Sequence, residues 1–268
     1  MEEAVQFIKN GKTATVTLNR PERLNALDAP SCYRLIEALR RCEKDSDIRV
    51  LVFTGAGKAF CAGGDVREMM AALKDRSGPD PKPFMKELVS AFNDAILEIK
   101  RLKKPVIGAV NGICSGGGAG LALACDFLIA AHEAKIHIPN ARIGLTPDGG
   151  NSFFLPRMLG THKAAELYLT GRALGAEEGF RLGIFSRLVS LETLLVEAQK
   201  AAEEVAKGPC FAMGLAKEML NEALLPSLES QLQREREAVV QCAGTRDFEE
   251  GIHAFFERRE PDFLKTDS

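Results

Sequence analysis

Tryptophan is absent from this 268-residue chain, only four histidines occur, and no two cysteines are spaced as a CxxC pair. His132, His137, His162 and His253 are scattered, so the clustered nitrogen and sulfur ligands of a zinc-type site are missing. Charge imbalance is missing too. The 35 Lys and Arg nearly cancel 37 Asp and Glu, which removes the basic surplus of a protein that tracks a polyanion. No apolar run reaches the roughly 18 residues of a membrane helix, and Met1-Glu2-Glu3 lacks the basic start and apolar block of a signal peptide. The seven cysteines are odd in number and irregularly spaced, and they read as reduced thiols of an intracellular protein. Together these absences predict a cytoplasmic protein with no nucleic-acid partner, no membrane partner and no metal.

What is present is enough apolar residue, 46% of the chain, to bury a large core. Val5 to Ile8 and Thr13 to Leu18 alternate as strands, with Asn10-Gly11 as the hairpin turn between them. A helical pattern runs from Ala29 to Cys42, with Tyr33, Ile36, Leu39 and Arg40 spaced for one face. The wholly apolar Val50 to Thr54 then reads as a buried strand. The layout recurs as a helix from Phe84 to Leu102, a strand from Val106 to Val110, a small-residue helix from Gly117 to Cys125 and a strand from Phe127 to Ala131. Between Ser77 and Pro83 three prolines and a glycine predict an exposed loop. The positive run Lys100, Arg101, Lys103 and Lys104 reads as the cation-rich end of a helix that stops before Pro105, with contact to a ligand phosphate as the alternative. From Glu192 onward the pattern is almost wholly helical, with amphipathic segments near residues 192–206, 212–222, 228–242 and 248–256. The expected organisation is a core over residues 1–200 followed by a helical region over 201–268.

Two glycine-rich turns each follow a buried strand and open a helix. The first runs from Phe60 to Asp65, where Asp65 is suited to cap the helix that follows. The second runs from Ser115 to Gly120. Backbone N–H groups at such starts are unpaired, and glycine lets a ligand approach them closely, so the turns can hold the oxygen of a developing enolate. A tight turn packed against a neighbouring helix is the alternative. A dinucleotide fingerprint fails on spacing, because GxGxxG beginning at Gly116 needs a glycine where Leu121 stands, and no GxxxxGK[ST] phosphate loop occurs.

The run from Asn19 to Leu27, then Phe60 to Val66, Asn111 to Gly118 and Gly144 to Gly150, in this order and spacing, resembles the enoyl-CoA hydratase/isomerase (crotonase) superfamily over essentially the whole chain. The resemblance implies an α/β fold, a spiral of ββα turns with a C-terminal helical trimerisation region, and assembly as a homotrimer or dimer of trimers. It also implies an acyl-CoA substrate with no separate cofactor, coenzyme A being part of the substrate. It puts the oxyanion N–H groups on Gly64 and Gly117. The coenzyme A lining falls on Arg23, Leu24, Ala26, Ala62, Asp65 and Val66, mostly through backbone, and Arg258 matches a basic residue that reaches coenzyme A phosphates. Taken alone, Arg258 reads equally as a solvated C-terminal charge.

Hydratases of this family use two glutamates, and this chain has Gly120 and Asn140 at those places. Glycine titrates nothing and an amide is no useful base, so addition of water is disfavoured. Asp148 remains. As part of Pro-Asp-Gly-Gly it reads as a turn residue, whereas the resemblance makes it the base of isomerase-type members, which move a double bond with one carboxylate. The expected activity is therefore conversion of a 3-enoyl-CoA to its 2-enoyl-CoA or a close variant. A hydratase and a catalytically silent acyl-CoA binder are the alternatives, and an aromatic dehalogenase is disfavoured because those relatives need a tryptophan. Met69, Met70, Phe84, Met85 and Leu88 are candidates for an acyl pocket, with ordinary core packing as the other reading.

Overall fold

The computed structural model describes residues 3–73, 82–143 and 145–223, together with 250, 257, 259 and 262–264. Strands β1 (Val5–Asn10) and β2 (Thr13–Leu18) form the expected antiparallel hairpin. Its loop is Gly11-Lys12, one position later than the sequence suggests. Asn10 still pairs with Thr13, whose hydroxyl donates to the Asn10 carbonyl at 2.9 Å. Helix α1 (Ala29–Lys44) begins where the Asp28 side chain accepts the Ser31 N–H, with Pro30 in the first turn. Its buried stripe is Cys32, Leu35, Ile36, Leu39 and Cys42. Tyr33 is half exposed and Arg40 pairs with Glu98, so the predicted face is displaced by about one residue. The small side chains Cys32 and Cys42 fit the core better than an aromatic and a cation do.

The rest of the chain runs β3 (Val50–Gly55), β4 (Ala59–Cys61), α2 (Val66–Leu73), α3 (Lys82–Arg101), β5 (Val106–Val110), β6 (Ile113–Ser115), α4 (Gly117–Leu123), β7 (Phe127–Ala131) and β8 (Lys135–His137). Then follow α5 (Asn151–Leu159), α6 (Thr161–Thr170), β9 (Ala173–Gly175), α7 (Ala176–Arg181), β10 (Arg187–Val189), α8 (Leu194–Ala206) and α9 (Cys210–Glu222). A six-stranded sheet has the order β1-β2-β3-β5-β7-β10, and every pair after the hairpin is parallel. A four-stranded sheet has the order β4-β6-β8-β9, parallel except for its last pair. The chain visits the large sheet, then the small sheet, then a helix, and repeats, which is the expected ββα spiral. The proline-rich stretch lies largely outside the described residues, as do the helices anticipated near 228–242 and 248–256.

Strand β3 is buried along its whole length because both faces of the large sheet are covered. Leu51 and Phe53 point into the main core with Leu35 and Leu39 of α1, Phe92 and Ile99 of α3 and Leu121 of α4. Val50 and Val52 point the other way, onto a second core closed by Leu194, Ala198, Ala201 and Ala202 of α8. The residue 200/201 border therefore falls within a helix that covers the sheet.

Helix α9 is anchored by a lysine that amphipathic periodicity alone does not single out. Lys217 is buried, donates to the carbonyls of Ile99 at 3.0 Å and Lys104 at 3.1 Å, and pairs with Asp126 at 3.0 Å. Asp126 also accepts the Val106 N–H at 2.7 Å, so one carboxylate links β5 to α9. Within the positive run, Lys104 donates to the Cys42 and Asp45 carbonyls at the end of α1, both at 2.7 Å, and so fills a helix terminus. Replacing Lys217 with methionine keeps most of the volume but removes the cation paired with Asp126 and the donor to two carbonyls. Urea unfolding at fixed protein concentration is expected to show a loss of about 3 kcal/mol.

Candidate active site

The first glycine turn is held in place by the loop that precedes α1. Leu24 and Asn25 both adopt left-handed backbone, with φ of 53° and 56°. The Asn25 side chain, fully buried, donates to the carbonyls of Ala56 and Ala59 at 2.9 and 2.7 Å and accepts the Arg20 N–H at 2.8 Å. This clamp lays the loop along the turn: Ala62 N–H donates to Leu24 O, Leu27 N–H to Gly63 O and Asp65 N–H to Leu27 O. Arg23, Leu24, Ala26, Ala62, Asp65 and Val66 are thereby brought to one place, with Leu24 and Val66 exposed. Arg258 lies outside the described residues.

Asp65 caps α2 as expected, its Oδ1 accepting the Arg67 N–H at 3.1 Å. Its Oδ2 accepts from Arg23 at 2.6 Å and pairs with Arg20 at 3.4 Å, so the buried side chain is committed to protein partners. Burial pushes this carboxyl up, but the Arg23 bond, the Arg67 N–H and the two guanidinium charges together outweigh it and hold the pKa below the ordinary range.

The second turn places Gly117 at the first position of α4 and turns through Gly116 at φ 51°. The two turns touch. A Cβ on Gly63, whose φ is 93°, lies only 3.5 Å from the Gly117 nitrogen and 2.7 Å from the Ser115 carbonyl oxygen. Hydrogen bonds engage the neighbours of the two donors, and neither the Gly64 nor the Gly117 N–H finds an acceptor among the described residues. Met69 and Leu88 stand against Gly64, and Phe92 against Gly117. Leu88 belongs to the buried core, Met69 and Phe84 pack partly buried against it, Met85 is half-buried, and the side chain of Met70 is outside the described residues. Phe92 is an addition from the structure, since α3 periodicity marks it only as core.

Asp148 reaches the same place by backbone packing. The loop 148–150 lies so close on α4 that a Cβ at Gly120 falls 1.8 Å from the Gly149 carbonyl oxygen. No side chain fits at 120 beside this loop. Asn140 is buried and its Nδ2 donates to Asp148 Oδ1 at 3.2 Å and to the Thr146 carbonyl at 3.0 Å. Burial raises the Asp148 pKa above its ordinary value of 3.8, and the Asn140 bond draws it only partly back. An apolar cavity of about 210 Å³ lies behind the loop, flanked by Pro147, Asn151, Leu155 and Tyr168. A larger one of about 450 Å³, lined by Lys100, Asp126, Phe153 and Lys217, includes none of the turn residues.

Two unpaired N–H groups from separate turns beside one half-buried carboxylate describe a site that can hold an enolate oxygen and move a proton. The family model for enoyl-CoA hydratase/isomerase matches residues 9–266. The chain belongs to this family. It is 39% identical over 263 residues to a 1,2-epoxyphenylacetyl-CoA isomerase of Escherichia coli, covering 98% of each chain. It is 34% identical over 264 residues to a crotonyl-CoA hydratase of Syntrophomonas wolfei, again covering 98% of each. The crystal structure of an enoyl-CoA hydratase from Polaromonas superposes with a TM-score of 0.91 at 35% identity, covering 97% of this chain and 99% of that one. The fold is thus the crotonase fold, and the protein is an enzyme of the hydratase/isomerase superfamily. Among the described residues no helix is long and apolar enough to cross a membrane, and no group of three or more His, Cys, Asp or Glu is placed to hold a metal.

The Asp65 hub has a measurable signature. Because its folded pKa is depressed below 3.8, the stability it contributes is present above that value and is lost as pH falls through the folded pKa. Asp65→Asn is expected to lower unfolding free energy at pH 7 by about 2 kcal/mol. The difference from wild type shrinks as both are acidified.

Proposed function

We propose that the enzyme isomerises a 3-enoyl-CoA to its 2-enoyl-CoA, or catalyses a close variant, with Asp148 as the only acid/base group. Asp148 takes a proton from C2, the negative charge spreads to the thioester oxygen between the Gly64 and Gly117 N–H groups, and Asp148 returns the proton at C4. The C3–C4 double bond becomes C2–C3, and no atom is gained or lost. Each N–H lowers the barrier by roughly 3 kcal/mol if it meets the oxygen as the charge develops.

The observation that carries this reading is the contact between Gly120 and the Gly149 carbonyl. Where the hydratase reading needs a first glutamate, the backbone of the Asp148 loop fills the space. With Asn140 at the second position, Asp148 is the carboxylate that stands beside the second turn among the described residues, and one suffices for a proton shuttle. The isomerase name of the Escherichia coli relative agrees with this choice, whereas the Syntrophomonas relative is named for hydration. Coenzyme A is taken to lie along Arg23, Leu24, Ala26, Ala62, Asp65 and Val66, with Arg258 meeting a phosphate. No separate cofactor is required. Assembly as a trimer or a dimer of trimers in the cytoplasm completes the proposal, supported by the exposed apolar side chains Phe211 and Leu220 on α9.

With a 3-enoyl-CoA, conjugated 2-enoyl-CoA should accumulate, and Asp148→Asn should lower kcat by about 100-fold or more. Wild-type turnover by that variant would sink the assignment. Crotonyl-CoA should be hydrated far more slowly than the 3-enoyl-CoA is isomerised; the reverse order would make the enzyme a hydratase. The base acts ionised, so kcat/KM is expected to rise with pH through a pKa above 3.8, the direction in which burial moves Asp148.

A further inference from the structure

Asn151, the first residue of α5, is almost completely buried, and its side chain has no place in the mechanism so far. Its Nδ2 donates to two backbone carbonyls, Gly116 and Asp148, each at 2.8 Å. Both neighbours are acceptors, so the amide is oriented with nitrogen toward them. Its Oδ1 is buried with no partner among the described residues. An orphaned acceptor is costly, and the two donated bonds are what the side chain supplies in return.

The identity of the first acceptor matters. The Gly116 carbonyl belongs to the same peptide unit as the Gly117 N–H, and it also accepts from the N–H groups of Ala119 and Gly120 at 3.0 and 3.4 Å. A hydrogen bond to the carbonyl of a peptide polarises the whole amide and makes its N–H a stronger donor. The second acceptor is the main chain of the proposed base. One side-chain nitrogen therefore joins the oxyanion peptide to Asp148.

We propose that Asn151 is a positioning residue that polarises the Gly116–Gly117 peptide and sets the separation between the Gly117 N–H and Asp148. This inference rests on the proposed reading of the Gly64 and Gly117 N–H groups as oxyanion donors.

The test uses the full-length enzyme and butyryl-CoA labelled with ¹³C at the thioester carbonyl, whose infrared stretch reports polarisation by the oxyanion donors. In wild type the bound carbonyl is expected to shift to lower frequency than in solution. Asn151→Ala should lose part of that shift. Asn151→Ser, with one donor in place of two, should fall between them. Asp148→Asn should keep it, since the donors are intact. On a 3-enoyl-CoA, Asn151→Ala should lower kcat by about tenfold or more while KM stays within about threefold. If Asn151→Ala does not fold, the serine variant carries the same comparison.

A folded Asn151 variant with the wild-type carbonyl shift overturns the inference, whatever its kcat. Absence of any shift in wild type removes the oxyanion reading and this inference with it. A normal wild-type shift with undiminished turnover by Asp148→Asn removes only the assignment of the base, and the comparison at Asn151 still stands.

Discussion

Backbone rests directly on backbone where the Asp148–Gly150 loop meets the first turn of α4. With no side chain at Gly120, the Gly149 carbonyl comes to within 1.8 Å of where a Cβ would be. That closeness has two consequences. It excludes a carboxylate from position 120, and it draws a different carboxylate, Asp148, toward the peptide that ends in the Gly117 N–H. The Asn151 amide bridges the two backbones at the same junction, and the Asn140 amide holds Asp148 Oδ1.

The rest of the fold holds this junction steady. The parallel strands β3, β5 and β7 are buried on both faces, so β4 and β6, which carry the turns, leave a rigid sheet at a fixed spacing. Around the first turn, Asn25 and the Arg20, Arg23 and Asp65 cluster do by hydrogen bonding what the core does by packing. The charges in that cluster are paired, and Asp65 stays ionised despite burial because two guanidiniums face it. Among the described residues no such cation faces Asp148, and burial moves its pKa the opposite way.

Much of this was legible from the chain alone. The β1–β2 hairpin, α1, the buried strands β3, β5 and β7, and α3 and α8 were readable because each is long enough to show a period of two or 3.6 residues, or a wholly apolar run. The three-residue strands β4, β6, β8, β9 and β10 were not, since three residues carry no period and exist only through their neighbours in the sheet. On α1 the apolar ring of Tyr33 draws the periodic stripe about one residue away from the buried one, which is built partly from the small side chains of Cys32 and Cys42. Asn151 carries no signal, because an asparagine at the start of a helix is ordinary, and the partners of its amide lie three and 35 residues away.

By itself the sequence determined which residues are available: two glycine turns after buried strands, an aspartate at position 148, and no glutamate at the two positions that the family resemblance assigns to hydratases. Those are matters of residue identity, and no arrangement of the chain can supply a carboxylate that is not encoded. The tertiary structure alone decided that the space at Gly120 is filled by a neighbouring backbone, that Asp65 is committed to two arginines, and that the Asn151 amide joins the Gly116–Gly117 peptide to the Asp148 main chain. Each of these depends on distances of a few ångströms between segments remote in the chain, which spacing along a sequence does not encode.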